Sequence, residues 1–183
     1  RSRGLGDVYK RQLMPLGSLR ERPEAARRAD IILFTRSRSD LVPPEAAELI
    51  KGKPFFFASH RPVRLVGRSG EEIPVDRLEG KRAALVSGIA RPETFEATVE
   101  SLGAKPHVSF RFADHHWYGA EDVSWMLERI DSACTFVTTE KDMVRMEALF
   151  PESVDLVAVA IEMEIRGIDR LLEHIAGGAR TSP

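Results

Sequence analysis

The chain has 183 residues, 43% of them hydrophobic and 30% charged, with a formal net charge of -1. That is the composition of a water-soluble globular fold with room for a sizeable core. It excludes a global electrostatic pull toward nucleic acid or an anionic membrane, and a single cysteine excludes an internal disulfide.

Residues 1–12 carry no apolar signal region and no periodicity, and they resemble a non-native leader. From residue 13 apolar runs alternate with helix-period segments. Residues 19–29, with Arg20, Arg22, Arg27 and Arg28, predict a basic helix ahead of an apolar run at 31–34. Pro43-Pro44 opens a helix over 45–50, since proline at a first helical turn forfeits no bond. Residues 55–58 predict a strand. Two further runs, 62–66 and 72–75, flank Gly67-Arg68-Ser69-Gly70 and predict a hairpin.

After Gly80 the alternation is clearer. A strand at 83–86 leads through Gly88 and Arg91 to a helix with Phe95, Val99 and Leu102 on one face. A strand at 108–112 precedes Asp114-His115-His116-Trp117-Tyr118, followed by a stripe of Ala120, Val123, Leu127 and Ile130. Residues 135–137 precede Thr138-Thr139-Glu140-Lys141-Asp142 and a helix through Val144 and Leu149. A strand at 156–160 and a helix at 168–175 close the series. Strands and helices at this spacing predict an α/β fold, a mostly parallel sheet with helices on both faces. Cys134, inside the apolar run 134–137, reads as a buried strand thiol.

Ligands of open α/β sheets bind outside the carboxyl ends of the strands, which is where both polar clusters fall. Asp114 beside His115 suits a general base that removes a hydroxyl proton; it equally suits a helix start, with Asp114 capping and His116 and Tyr118 covering the sheet end. Asp-His-His also admits a binuclear phosphohydrolase, but no converging set of further ligands is evident, and His60, His107 and His174 stand apart in sequence. No metal ligand is assigned. Thr139 and Asp142 have the spacing of a capping box, and Lys141 could meet a phosphate. Arg91 could pair with an anion after Gly88. No phosphate loop and no Gly-x-Gly-x-x-Gly occurs anywhere in the chain.

Four strings in order, LMPLGSLRERP at 13–23, VSGIARPETF at 86–95, FADHHWYGAED at 112–122 and VTTEKDMVR at 137–145, resemble the C-terminal half of the lipid A disaccharide kinases, the tetraacyldisaccharide 4'-kinase family. The resemblance covers about residues 13–176. It implies a transferase that uses ATP with Mg2+ to phosphorylate the 4'-hydroxyl of a lipid A disaccharide precursor. It further implies a cytoplasmic enzyme of Gram-negative bacteria, peripheral at the inner membrane, with no nucleic-acid partner. His115 matches the family's histidine of an Asp–His pair, whose aspartate belongs to the N-terminal lobe. Arg20 and Glu21 match a Leu-Arg-Glu segment near substrate or nucleotide, and Arg91, Asp114 and Lys141 are placed in the same vicinity. The implied organisation is 13–61 as the end of an N-terminal P-loop kinase lobe, 62–79 as a β-hairpin linker and 80–183 as a C-terminal α/β domain. The fragment by itself is expected to be inactive. Two departures from the family pattern are Arg22, where a proline usually follows Leu-Arg-Glu, and Gly119, where Thr or Ser often caps a helix. A metal-dependent phosphohydrolase and a non-catalytic α/β binding module remain the alternatives.

Overall fold

Seven strands form one sheet in the computed structural model, which describes residues 20–35, 41–131 and 133–178. The suspected leader at 1–12, positions 13–19 of the first family string and the end of the polar tail lie outside the described residues. In chain order the strands are β1 (Ile32–Thr35), β2 (Phe55–Gly67), β3 (Glu72–Ile73), β4 (Arg82–Ser87), β5 (Lys105–Arg111), β6 (Thr135–Thr139) and β7 (Leu156–Ile165). The α-helices are α1 (Pro44–Ala47), α2 (Pro92–Ser101), α3 (Ala120–Leu127), α4 (Glu140–Met146) and α5 (Ile168–Gly178). By contact density the chain forms two units: residues up to Ser59 with those from Met163, and His60–Glu162. The hairpin thus falls in the second unit and α5 in the first.

In the first unit β1 runs parallel to the start of β2, from Ile32 opposite Phe55 to Thr35 opposite Ala58. Phe34 stacks on Phe57 with ring centroids 5.4 Å apart, and α5 buries Leu171. The predicted basic helix over 19–29 is instead a six-residue 3-10 helix, Pro23–Arg28. Its start has no side-chain cap. At its end the Lys53 ammonium takes the carbonyls of Arg27 and Ala29, which leaves the last turn closed off rather than extended.

The second unit carries the strand order β2-β7-β6-β4-β5. β4 is parallel to β5 on one side and to β6 on the other, and β6 is parallel to β7. β5 is the last strand in that order, and an edge position tolerates a residue without an N–H, here Pro106. The two strands predicted at 55–58 and 62–66 are one continuous β2 of 13 residues. Pro62 falls between the β1 partners, which end at Ala58, and the β3 partners, which begin at Leu65, so it forfeits a bond to neither. The return arm β3 shrinks to two residues because Pro74 ends it.

Alternate residues of the central strands feed opposite faces, as the strand period of two requires. Ala84, Val86 and Phe136 pack with Val123 and Met126 of α3 and Met143 and Met146 of α4. Ala83, Leu85 and Val137 pack with Phe95 and Val99 of α2. The sheet is therefore covered on both faces, as predicted, and each fully buried Leu or Val stabilises by about 1.5–3 kcal/mol. One predicted stripe and the extent of one predicted helix are corrected. In α3 Ala120 is exposed and Met126 joins Val123 as a buried residue, while Leu127, the last helical residue, and Ile130 beyond it pack against the core from partly buried positions. In α4 Val144 is 77% exposed, because Met143 and Met146, three apart, fill the sheet-facing side; Leu149 lies in a separate 3-10 turn, Glu147–Leu149. Cys134 is buried one residue before β6 rather than within it, and burial pushes its thiol pKa up, as befits an inert thiol.

Candidate functional site at the strand ends

The chain leaves β4 through Gly88, β5 through Ala113–His116 and β6 through Thr139, and hydrogen bonds tie the three exits together. Phe112 N–H donates to the Ser87 carbonyl at 2.9 Å, and His115 N–H to the Gly88 carbonyl at 3.1 Å. A tight turn follows, with His116 N–H on the Ala113 carbonyl at 3.0 Å. The turn places His115 at φ 64, making it the non-glycine residue in the left-handed region among the described residues. That conformation carries strain of about 1–3 kcal/mol, of the kind that clusters at functional sites.

The strain presents an exposed imidazole among charged groups. His115 Nε2 lies 3.8 Å from Asp114 Oδ1 and 3.5 Å from Lys141 Nζ, and Lys141 Nζ is 3.7 Å from Asp114 Oδ1. On the other side of the ring, Arg145 Nη2 lies 3.4 Å from Nδ1. The structure thus brings together three residues singled out in the sequence, Asp114, His115 and Lys141, and adds a fourth. Arg145 was missed, although its place one helical turn after Lys141 on α4 is the spacing that puts two side chains on one face.

Beneath this cluster lies a carboxylate with no exposed surface, Asp142. Its Oδ2 accepts the Gly88 N–H at 3.0 Å and the Thr139 hydroxyl at 2.9 Å. In return Thr139 Oγ1 accepts the Asp142 N–H at 3.1 Å, so Thr139 caps the helix as predicted, while Asp142 meets its hydroxyl rather than the backbone N–H that would complete the box. Its reach across to β4 had no sequence signal. Asp142 Oδ1 is 4.0 Å from Arg145 Nη1; the Tyr118 hydroxyl, Asp142 Oδ1 and Arg145 Nη1 are all buried without a hydrogen-bond partner. Burial and then the charge of Asp142 push the Tyr118 phenol well above its ordinary pKa. A Cβ at position 88 would stand 2.9 Å from that hydroxyl and 3.3 Å from Asp142 Oδ1. Glycine is required here because the three chain exits approach so closely.

His116 is committed elsewhere. Its ring stacks on Phe112 at 4.6 Å and its Nε2 lies 3.0 Å from Asp122 Oδ2. Asp122 also accepts the Gly119 N–H at 2.9 Å, and these two bonds, that to His116 first, hold its pKa below the ordinary value. The cap at the start of α3 is therefore Asp122, working back onto Gly119, and not Asp114. His60 and His107 are exposed, and His174 packs edge-on to Phe56 at 6.0 Å. Among the described residues no group of three or more His, Cys, Asp or Glu side chains could hold a metal ion, so the Asp-His-His phosphohydrolase finds no support. Arg91 is exposed at the start of α2 and caps nothing through its side chain. Arg20 and Glu21 belong to the first unit, where Glu21 pairs with Arg28 at 2.5 Å.

A parallel α/β sheet with an imidazole and two cations at its strand ends defines a class suited to binding an anionic substrate and moving a proton. The comparisons with known proteins narrow that class. A family model described as tetraacyldisaccharide-1-P 4'-kinase matches residues 4–177, a span that reaches into the segment set aside as a leader. The chain belongs to that family. Curated relatives, each described as tetraacyldisaccharide 4'-kinase, include proteins of Syntrophus aciditrophicus (31% identical, 89% of this chain, 47% of the relative) and Anaeromyxobacter dehalogenans strain 2CP-C (36% identical, 90% and 46%). Among solved structures, LpxK from Aquifex aeolicus in complex with ATP matches with a TM-score of 0.63 at 24% identity, over 93% of this chain and 49% of that one. That likeness supports the α/β fold. The chain spans about half the length of the curated relatives it matches.

Proposed function

We propose that these residues are the C-terminal part of a kinase that transfers the γ-phosphoryl group of ATP to the 4'-hydroxyl of tetraacyldisaccharide 1-phosphate, in the assembly of lipid A. The observation that carries this reading is His115, exposed on a strained turn between Asp114, Lys141 and Arg145 in a chain matched almost end to end by one kinase family. In the transfer the sugar oxygen bonds to phosphorus, the bond to the β-phosphate oxygen breaks, and the hydroxyl proton leaves to a base. Such catalysis is chiefly positioning and electrostatics. His115 is the base or its immediate support. Lys141 and Arg145 offset charge on phosphoryl oxygens near it; Arg91 is assigned to substrate or nucleotide contact, as are Arg20 and Glu21 by their match to the family's Leu-Arg-Glu segment. Among the described residues no group of three or more His, Cys, Asp or Glu side chains could hold a metal ion; the phosphate loop and most contacts to Mg2+, which would shield the triphosphate, are assigned to the rest of the longer protein.

The proposed organisation keeps 13–61 with a nucleotide lobe, 62–79 as the linking ribbon and 80–183 as the second α/β domain. Among the described residues no helix is long and apolar enough to cross a membrane, so contact with the inner membrane's cytoplasmic face in a Gram-negative cell is assigned to peripheral docking.

The test uses the longer protein that contains this segment. His115→Ala should lower kcat by about 10²–10⁴-fold if the ring takes part in proton transfer; an unchanged kcat would make it a turn residue only. Residues 13–183 alone should yield no phosphorylated disaccharide from ATP, and detection of that product would overturn the division of labour.

A further inference from the structure

We propose that Arg145, anchored by the buried carboxylate of Asp142, is a positioning residue that holds His115 as the tautomer protonated on Nε2. A guanidinium has five donors, no acceptor and a permanent charge. With its Nη2 3.4 Å from His115 Nδ1, that nitrogen must present its lone pair. The Lys141 ammonium, 3.5 Å from Nε2, makes the opposite demand, since it too only donates. A neutral imidazole has one lone pair and can satisfy one of them.

Anchoring decides between the two. The Arg145 side chain is 25% exposed and reaches within 4.0 Å of a carboxylate with no exposure at all. That carboxylate is itself fixed by the Gly88 N–H and the Thr139 hydroxyl. If Arg145 swung outward, Asp142 would keep a buried charge with no cation beside it, which is costly. Lys141 is 44% exposed on a flexible stem and has a second partner, Asp114 Oδ1 at 3.7 Å. The same Asp114 oxygen lies 3.8 Å from Nε2, too far for a hydrogen bond but a favourable charge for an N–H on that nitrogen. With the proton on Nε2, Arg145, Asp114 and Lys141 all face a complementary group. With the proton on Nδ1, an N–H would point at a guanidinium that cannot leave.

The consequence for catalysis rests on the kinase reading. With its Nδ1 lone pair held by the Arg145 guanidinium, His115 supports the base rather than receiving the hydroxyl proton itself, and it presents Nε2–H on the side of Asp114 and Lys141. The tautomer itself does not depend on that reading.

Long-range 1H–15N correlation spectra of the 183-residue chain, labelled at histidine nitrogen and recorded where the ring is neutral, read the tautomer directly. His115→Gln assigns the signals. The wild-type ring should show an acceptor-type Nδ1 and a protonated Nε2. Arg145→Met should shift the tautomer ratio toward Nδ1–H by about fivefold, the weight of one ordinary hydrogen bond, as Lys141 then acts alone. Arg145→Lys should restore most of the ratio, and Lys141→Met should leave it unchanged. Asp142→Asn should follow Arg145→Met; if that variant does not fold, the Arg145 pair carries the test. A wild-type ring protonated on Nδ1, or a ratio unaltered in Arg145→Met, overturns the proposal. Neither ATP nor lipid is present, so such a failure leaves the His115→Ala test of the kinase reading intact.

Discussion

Two polar clusters sit at the ends of the strands that flank β4, and folding buries different parts of each. Asp114 and His115 after β5 are exposed, His115 is strained, and two backbone hydrogen bonds hold their turn. Thr138 and Asp142 around the end of β6 have no exposed surface, and their side chains are spent on Val86, Gly88 and Thr139. The buried residues fix where three chain exits meet, and the exposed ones present an imidazole above that point. Arg145 belongs to both, with one nitrogen near Asp142 and another near His115. The exposed imidazole thus rests on a second polar layer that never meets solvent.

The largest effect separating the clusters should be on stability. Asp142→Ala removes a buried charge that offsets Arg145 and accepts two hydrogen bonds, and should destabilise by about 3–5 kcal/mol. Asp114→Ala, at a carboxylate with 45% side-chain exposure, should change stability by no more than about 0.5 kcal/mol. Urea denaturation of the two variants measures both, and equal midpoints would erase the distinction. Gly88→Ala comes next. Its Cβ would meet the Tyr118 hydroxyl at 2.9 Å and the Ala113 carbonyl at 3.3 Å, and overpacking of this kind costs about 1–3 kcal/mol. Because backbone supplies one of those contacts, the strain should also move the His115 turn, visible as shifted amide resonances at 113–116.

How much of this the sequence revealed follows from the range of each interaction. The parallel sheet and its two helical layers were legible, because burial imposes periods of two and 3.6 on local sequence. The Thr139 cap on the Asp142 N–H was legible because it is a contact three residues long. The continuity of β2 was not: Pro62 and the polar run before it resemble a break, and only neighbouring strands decide whether a proline's missing N–H matters. The burial of Met143 in place of Val144 was hidden because both are apolar, and their order depends on the angle at which α4 docks. Arg145 lay in plain view inside a family string. Its significance depends on His115, thirty residues earlier, and on Asp142 being buried, which no spacing expresses.

Smaller effects sharpen the comparison at the two helix starts. Thr139→Ala removes a cap that also donates to Asp142 and should cost about 0.5–2 kcal/mol. Gly119, at φ -119 and ψ 170, occupies an ordinary extended cap conformation, and its would-be Cβ has no contact closer than 4.0 Å. Gly119→Ser should therefore stabilise by a few tenths of a kcal/mol, roughly the gap between glycine and serine at that position. Thermal unfolding of the two variants should move in opposite directions.

The smallest effect is a pH dependence at the start of α3. The His116 hydrogen bond and then the Gly119 N–H hold the Asp122 carboxyl below its ordinary value of 3.8. A carboxyl with a lower pKa folded than unfolded binds fewer protons in the native state, so stability rises with pH across that interval. Its contribution is complete above the unfolded value and disappears as pH falls through the depressed folded value. Asp122→Asn keeps an oxygen for the Gly119 N–H but has no proton to take up. The gap in urea midpoint between wild type and Asp122→Asn should therefore be constant from about pH 7 to about pH 5 and narrow progressively below about pH 4. A gap that persisted to about pH 2 would mean that the His116–Asp122 contact is no tighter in the folded chain than in the unfolded one.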